Sequence, residues 1–180
     1  MGRLRFATIW LGGCSGCHMS FLDTDEFLLE LAGMADLVYT PLVDVKEYPE
    51  NVDLVLIEGA VGNDEHKELL LKARARTKTL VALGDCAISG NVTGLRNLAG
   101  GAQPSLENAY ITLADTNPGI PALEHVLPVI TDPVVPLHRL VQVDAYIPGC
   151  PPDAKRIRHA LEGLLSGAGE VLVGNELRPG

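Results

Sequence analysis

The chain has few aromatic residues, few positive charges and no long apolar run. Aromatics make up 4% of the 180 residues, too few for a platform on which successive bases of a single strand would stack. Lys and Arg number 14 against 23 Asp and Glu, a formal net charge of -9. A nucleic-acid binder needs a basic stripe that displaces counterions from phosphates, and this balance provides none. The apolar stretch after Arg5 is too short to span a bilayer, and no small-residue cleavage site follows it. Phe6 stands where a myristoylation signal needs Ser or Thr. The expectation is a soluble cytoplasmic protein with no membrane span, exported only if a partner carries it.

What remains is an ordinary globular composition, 47% hydrophobic and 21% charged, long enough for a single domain over 1–180 with its own core. Apolar runs of strand length recur at residues 5–11, 36–42, 52–58, 79–84 and 144–148. Helical patterns fall between and after them. Residues 17–32 carry one apolar face, 63–76 place acids first and bases last, and 151–167 open on prolines and close at Gly167. Continuous apolar strands alternating with helices indicate an α/β fold whose open parallel sheet is covered by helices on both faces. Residues 100–143, rich in Pro, Gly and short apolar fragments, read as an irregular excursion or a partner-contact segment.

Cysteine is scarce too, with four residues: Cys14, Cys17, Cys86 and Cys150. The first two follow strand 5–11, Cys86 follows 79–84 and Cys150 follows 144–148. In an open parallel sheet these carboxyl ends share one edge, where ligands bind. Segments far apart in the chain thus bring four sulfurs to one neighbourhood.

The spelling C-x-x-C-H at Cys14, Cys17 and His18 also fits covalent haem attachment, but that leaves Cys86 and Cys150 unused. A thioredoxin-like dithiol leaves the same two unused. Four thiolates suit zinc or an iron–sulfur cluster. Zinc usually takes a second knuckle of similar spacing, whereas Cys86 and Cys150 are isolated in separate turns, so the cluster is favoured. Gly13 and Gly16 beside the first pair, Gly84 before Cys86 and Gly149 before Cys150 let the backbone come close to such a group.

The blocks TIWLGGCSGCHMSFLD (8–23), IEGAV (57–61), GDCAISGNV (84–92) and PGCPPD (148–153) resemble the small subunit of nickel–iron hydrogenases, in particular the cytoplasmic, bidirectional NAD-linked type. The resemblance runs in order from near the N-terminus to about residue 166. It implies a flavodoxin-like domain that holds one [4Fe–4S] cluster through Cys14, Cys17, Cys86 and Cys150. It implies, too, a large-subunit partner carrying the nickel–iron centre, and NADH-dehydrogenase-like flavin and iron–sulfur subunits. The chain would relay electrons and break no bond itself. Alternatives are a related cytoplasmic hydrogenase with another acceptor, and a flavodoxin-like FMN-binding subunit. The first strand-to-helix loop carries cysteines rather than a phosphate-binding Ser/Thr turn, which disfavours FMN.

Further candidates surround the cysteines. His18 is a donor to a cluster sulfur or to the large subunit, or else a helix cap. Asp85 is either an orienter of the Cys86 turn or an ordinary turn aspartate, with the second slightly preferred. Trp10 ends a buried strand, where its ring would shield a cluster from water or simply pack the core. Glu58 closes an apolar strand, an expensive place for an unpaired carboxylate, and is expected at the large-subunit interface in proton transfer or pairing. Arg96 is a candidate to pair with a carboxylate across that interface.

Overall fold

The computed structural model describes residues 2–42, 45–124, 126–166 and Leu172. The helix end expected at Gly167 lies outside them. Five parallel strands form the main sheet: β1 (Leu4–Trp10), β2 (Ala35–Tyr39), β3 (Val52–Glu58), β5 (Thr77–Leu83) and β7 (Ala145–Ile147), in the order β2-β1-β3-β5-β7. The direction of winding reverses between β1 and β3, whose registers align Phe6 with Leu54 and Trp10 with Glu58. This reversal makes the carboxyl end of β1 and β3 the switch point of a doubly wound fold.

The strands read as unbroken apolar runs because each face has its own core. Successive strand side chains point to opposite faces. Phe6, Leu54, Leu56, Val81, Leu83 and Ile147 pack on one side with Phe21, Phe27, Leu31, Ile157 and Leu161. These last five come from α1 (Gly16–Leu22), α2 (Phe27–Met34) and α7 (Ala154–Ser166). Ala7, Ile9, Val55, Ile57, Leu80 and Ala82 pack on the other with Leu70 and Ala73 of α3 (Asp64–Arg76) and with Ala87 of α4 (Gly84–Ser89). Burying one such Leu or Ile contributes about 1.5–3 kcal/mol.

Capping fixes the helix starts. Asn63 accepts the His66 amide at 2.8 Å ahead of α3, and Asp153 accepts the Arg156 amide at 2.9 Å ahead of α7. The helix expected from 151 therefore begins only after Pro151 and Pro152, which lead into its cap.

Two expectations are corrected. Residues 17–32 form two helices, because the chain turns at 23–26 with Asp25 at φ 51°. The stretch 100–143 is less irregular than its composition suggests. It holds α6 (Ala102–Glu107), a π-helical turn (Asn108–Thr112), β6 (Ile130–Val135) and a 3-10 turn (Leu137–Arg139). Strand β6 pairs antiparallel with β4 (Val61–Asn63) in a small second sheet, and α5 (Asn91–Leu98) packs beside it.

Candidate metal centre

The loop after β1 places Cys14 at the surface and Cys17, 6% exposed, in the first turn of α1. Cys86 lies buried in the first turn of α4, directly after β5, and Cys150 is exposed just after β7. All four thiols are free. Their mutual proximity shows in the acidity of Cys17. Burial pushes its thiol up most, followed by the Glu58 carboxylate and then by Cys86, Cys14 and Cys150. A lone thiolate is disfavoured there, and a cationic group is what would stabilise it.

The three loops interlock. The Asp85 amide donates to the Gly149 carbonyl at 2.9 Å, and the Gly149 amide donates back to Asp85 Oδ1 at 2.8 Å. This reciprocal pair joins the Cys86 and Cys150 turns, so Asp85 orients them and is not an ordinary turn aspartate. Ser20 Oγ donates to the Pro152 carbonyl at 2.5 Å, linking α1 to the last turn. Thr93 Oγ1 donates to the Gly12 carbonyl at 2.6 Å and steadies the first loop. Ser20 and Thr93 gave no signal in the sequence, since nothing local marks a hydroxyl that bonds 132 or 81 residues away.

Close approach explains the glycines. A Cβ on Gly84, whose φ is 80°, would lie 2.2 Å from Cys17 Sγ and 3.4 Å from the Gly149 carbonyl. Position 84 is therefore where the first and last cysteine loops meet the β5 turn. At Gly16 a Cβ would sit 3.2 Å from Cys14 Sγ, and at Gly13 it would sit 3.3 Å from Glu58 Oε1.

Glu58 is 1% exposed and its partner lies within the chain. Its Oε2 accepts the His18 amide at 2.9 Å and stands 2.6 Å from His18 Nδ1. Interfacial pairing of Glu58 is thus replaced by an internal hydrogen-bonded contact across the switch point. His18 is 8% exposed, and its Nε2 is buried with no hydrogen-bond partner among the described residues. Its ring therefore makes no cap to the helix.

Two other expectations fall away. Trp10 is 45% exposed, because β1 outruns its helical cover at this last residue. It packs in neither core of this chain. Arg96 donates through Nη2 to the carbonyls of Gly62, at 3.0 Å, and Thr131. It clamps α5 to β4 and β6 instead of reaching outward for a carboxylate.

Among the described residues no three His, Cys, Asp or Glu side chains are grouped tightly enough for a single metal ion. Four cysteine thiols just beyond three neighbouring strand ends are the donor set of a multi-iron cluster. With the Gly84 approach and the orphaned ring nitrogen of His18, the residues fit such a group.

Fold and site together define a flavodoxin-like domain with four cysteines at its switch-point edge. Residues 14–164 match the family model described as NADH ubiquinone oxidoreductase, 20 Kd subunit. The chain belongs to that family, and within it is a homologue of nickel–iron hydrogenase small subunits. It is 38% identical over 169 residues to the NAD-reducing hydrogenase HoxS subunit delta of Cupriavidus necator, covering 92% of this chain and 80% of that one. It is 39% identical over 166 residues to the vhu G protein of the F420-non-reducing hydrogenase of Methanocaldococcus jannaschii, where it spans 91% of itself but only 57% of the relative. A crystal structure of an NAD+-reducing [NiFe]-hydrogenase in the H2-reduced state contains a chain that superposes with a TM-score of 0.90 at 39% identity, over 98% of this chain and 99% of that one. The [NiFeSe]-hydrogenase of Dm. baculatum, at 16% identity and a TM-score of 0.60, shares the fold. No helix among the described residues is long and apolar enough to cross a membrane.

Proposed function

We propose that the chain is the electron-transfer small subunit of an NAD-linked nickel–iron hydrogenase and holds one [4Fe–4S] cluster through Cys14, Cys17, Cys86 and Cys150. The observation that carries this reading is the meeting of four thiols from three strand ends around Cys17, at the switch point. Such a cluster, when bound, takes up and releases one electron at a time.

The chain's own residues prepare the place. Asp85 and Gly149 lock two cysteine turns, Gly84 admits the Cys17 sulfur, and Cys17 and Cys86 are buried, Cys17 within the core that Phe6 and Phe21 share. The exposed pair, Cys14 and Cys150, faces outward, with the exposed apolar side chains of Trp10 and Met19 on the same first βα segment. This edge suits the large subunit that carries the nickel–iron centre. Residues 100–143 add exposed Tyr110, Leu113, Leu123 and Leu127, with an apolar groove of about 840 Å³ beside them. A stable contact needs surface of this kind. NADH-dehydrogenase-like flavin and iron–sulfur subunits complete the path to NAD(H), in a cytoplasmic assembly. The NAD link rests on the likeness to the HoxS delta subunit and to the NAD+-reducing crystal structure.

Iron, acid-labile sulfide and zinc measured on the anaerobically purified pair of this chain and its large subunit test the reading. About four sulfides per pair are expected, with about four irons beyond that of the nickel–iron centre, and stoichiometric zinc without sulfide refutes it. Cys150→Ala is expected to abolish hydrogen-dependent NAD reduction.

A further inference from the structure

The contact between His18 and Glu58 joins two strand ends 40 residues apart, and the cysteine ligands do not require it. One carboxylate oxygen, Glu58 Oε2, receives both the His18 amide at 2.9 Å and the ring Nδ1 at 2.6 Å. Backbone and ring are thus held by the same atom, which fixes the ring's rotation. The far nitrogen, Nε2, is left buried without a partner among the described residues. An unmade hydrogen bond at a buried polar atom costs about 1–3 kcal/mol, so a partner that the chain itself does not supply is expected. His18 directly follows Cys17. Glu58 lies under the same loop, 3.3 Å from where a Gly13 Cβ would be.

Resting on the cluster reading above, we propose that Glu58 is a positioning residue: it holds the His18 ring so that Nε2 donates a hydrogen bond to a sulfur of the cluster, and the pair thereby sets the cluster's reduction potential. Sulfide and thiolate sulfurs only accept, so the nitrogen that faces them is a donor. The hydrogen between Oε2 and Nδ1 completes the chain of contacts, whichever of the two atoms carries it. A donor to sulfur disperses the charge gained on reduction, and hydrogen bonds of this type are one of the determinants of cluster potential.

The test is an EPR-monitored redox titration of the cluster in the purified pair of this chain and its large subunit, alongside its iron content. His18→Leu cannot donate and is expected to make the cluster harder to reduce by at least tenfold in the one-electron equilibrium, about 59 mV. His18→Gln keeps an N–H donor and is expected to recover more than half of that shift. Glu58→Gln is expected to move the potential at least twofold more in the parent than in a His18→Leu background, because its influence passes through the ring. An assembled four-iron His18→Leu cluster at the parent potential overturns the proposal. So does a Glu58→Gln shift of equal size in both backgrounds, which would mean the carboxylate acts by charge alone. Should His18→Leu not assemble, pulsed EPR of the unmutated complex grown with 15N-histidine replaces it. A 15N coupling to the reduced cluster is expected, and its absence shows that Nε2 serves water or the partner subunit instead. A pair of this chain and its large subunit with no iron–sulfur signal at all refutes the cluster reading itself, which separates the two failures.

Discussion

Replacing Gly84 by alanine would perturb the point where all three ligand turns meet. The backbone there has φ 80°, and holding an L-residue in this left-handed region costs roughly 1–2 kcal/mol. The steric effect is larger. The new Cβ would stand 2.2 Å from Cys17 Sγ, whereas ordinary contact begins at 3.4 Å, so the sulfur must retreat by about 1.2 Å. Ligand distances in metal sites hold to about 0.2 Å, and a retreat several times larger removes Cys17 as a ligand. The sheet, by contrast, does not depend on that sulfur. The expected outcome is a folded chain with native-like circular dichroism and a thermal midpoint lowered by several degrees, on the scale of about 2–4 °C per kcal/mol. Its iron and sulfide content should fall by well over half. Iron, sulfide and EPR line shape of the anaerobic complex measure this. A Gly84→Ala protein with a full iron complement and an unchanged spectrum would refute the assignment of Cys17 to the site.

Other substitutions separate scaffold from site. Gly33 lies within α2 with nothing near its Cβ position, so Gly33→Ala should raise stability by about 0.5–1 kcal/mol in thermal denaturation and leave iron content alone. Asp85→Ala removes the acceptor of the Gly149 amide, and bleaching of the cluster by a chelator should quicken while overall stability falls by about 1–2 kcal/mol. Asn63→Ala loses the α3 cap and should cost about 0.5–2 kcal/mol with no change in iron or in EPR. Leu70→Ala, fully buried beneath β3 and β5, should cost about 2–5 kcal/mol in denaturant unfolding.

The central strands were legible in the sequence because residues 52–58 and 79–83 must be apolar on both faces, and that produces unbroken runs. The cysteines were legible for a related reason. Once the strands are placed, the residues just beyond them fall on the carboxyl edge of a parallel sheet. Pairings that depend on register over long separations were not legible. Nothing local marks that Glu58 ends opposite the helix that carries His18, or that three residues at 61–63 will pair with 130–135 across a gap of more than sixty. The break at 23–26 was hidden because the apolar spacing of residues 17–32 continues through it, while Asp25 adopts a positive φ that the periodicity cannot report. Trp10 misled because burial of a strand says little about its last residue, which extends beyond the helices that cover the rest. Arg96 misled because proximity in sequence to Cys86 implied a role at the site, while its guanidinium is held by two carbonyls of the second sheet.

The last cysteine turn enters on β7, a strand of three residues that, among the described residues, joins the sheet at β5 alone. A chain emerging from the ribosome has made Cys14, Cys17 and Cys86 long before residue 150 arrives, yet the turn holding Cys86 is not clamped until Gly149 reaches Asp85. Closing a loop of this length costs entropy that grows only slowly with its length, but it delays the contact. The meeting of the four cysteines is therefore among the last features to form during folding, and under the cluster reading iron loading would report that the whole sheet has closed. A maturation system that delivers iron to this site would by the same chemistry be inspecting the fold.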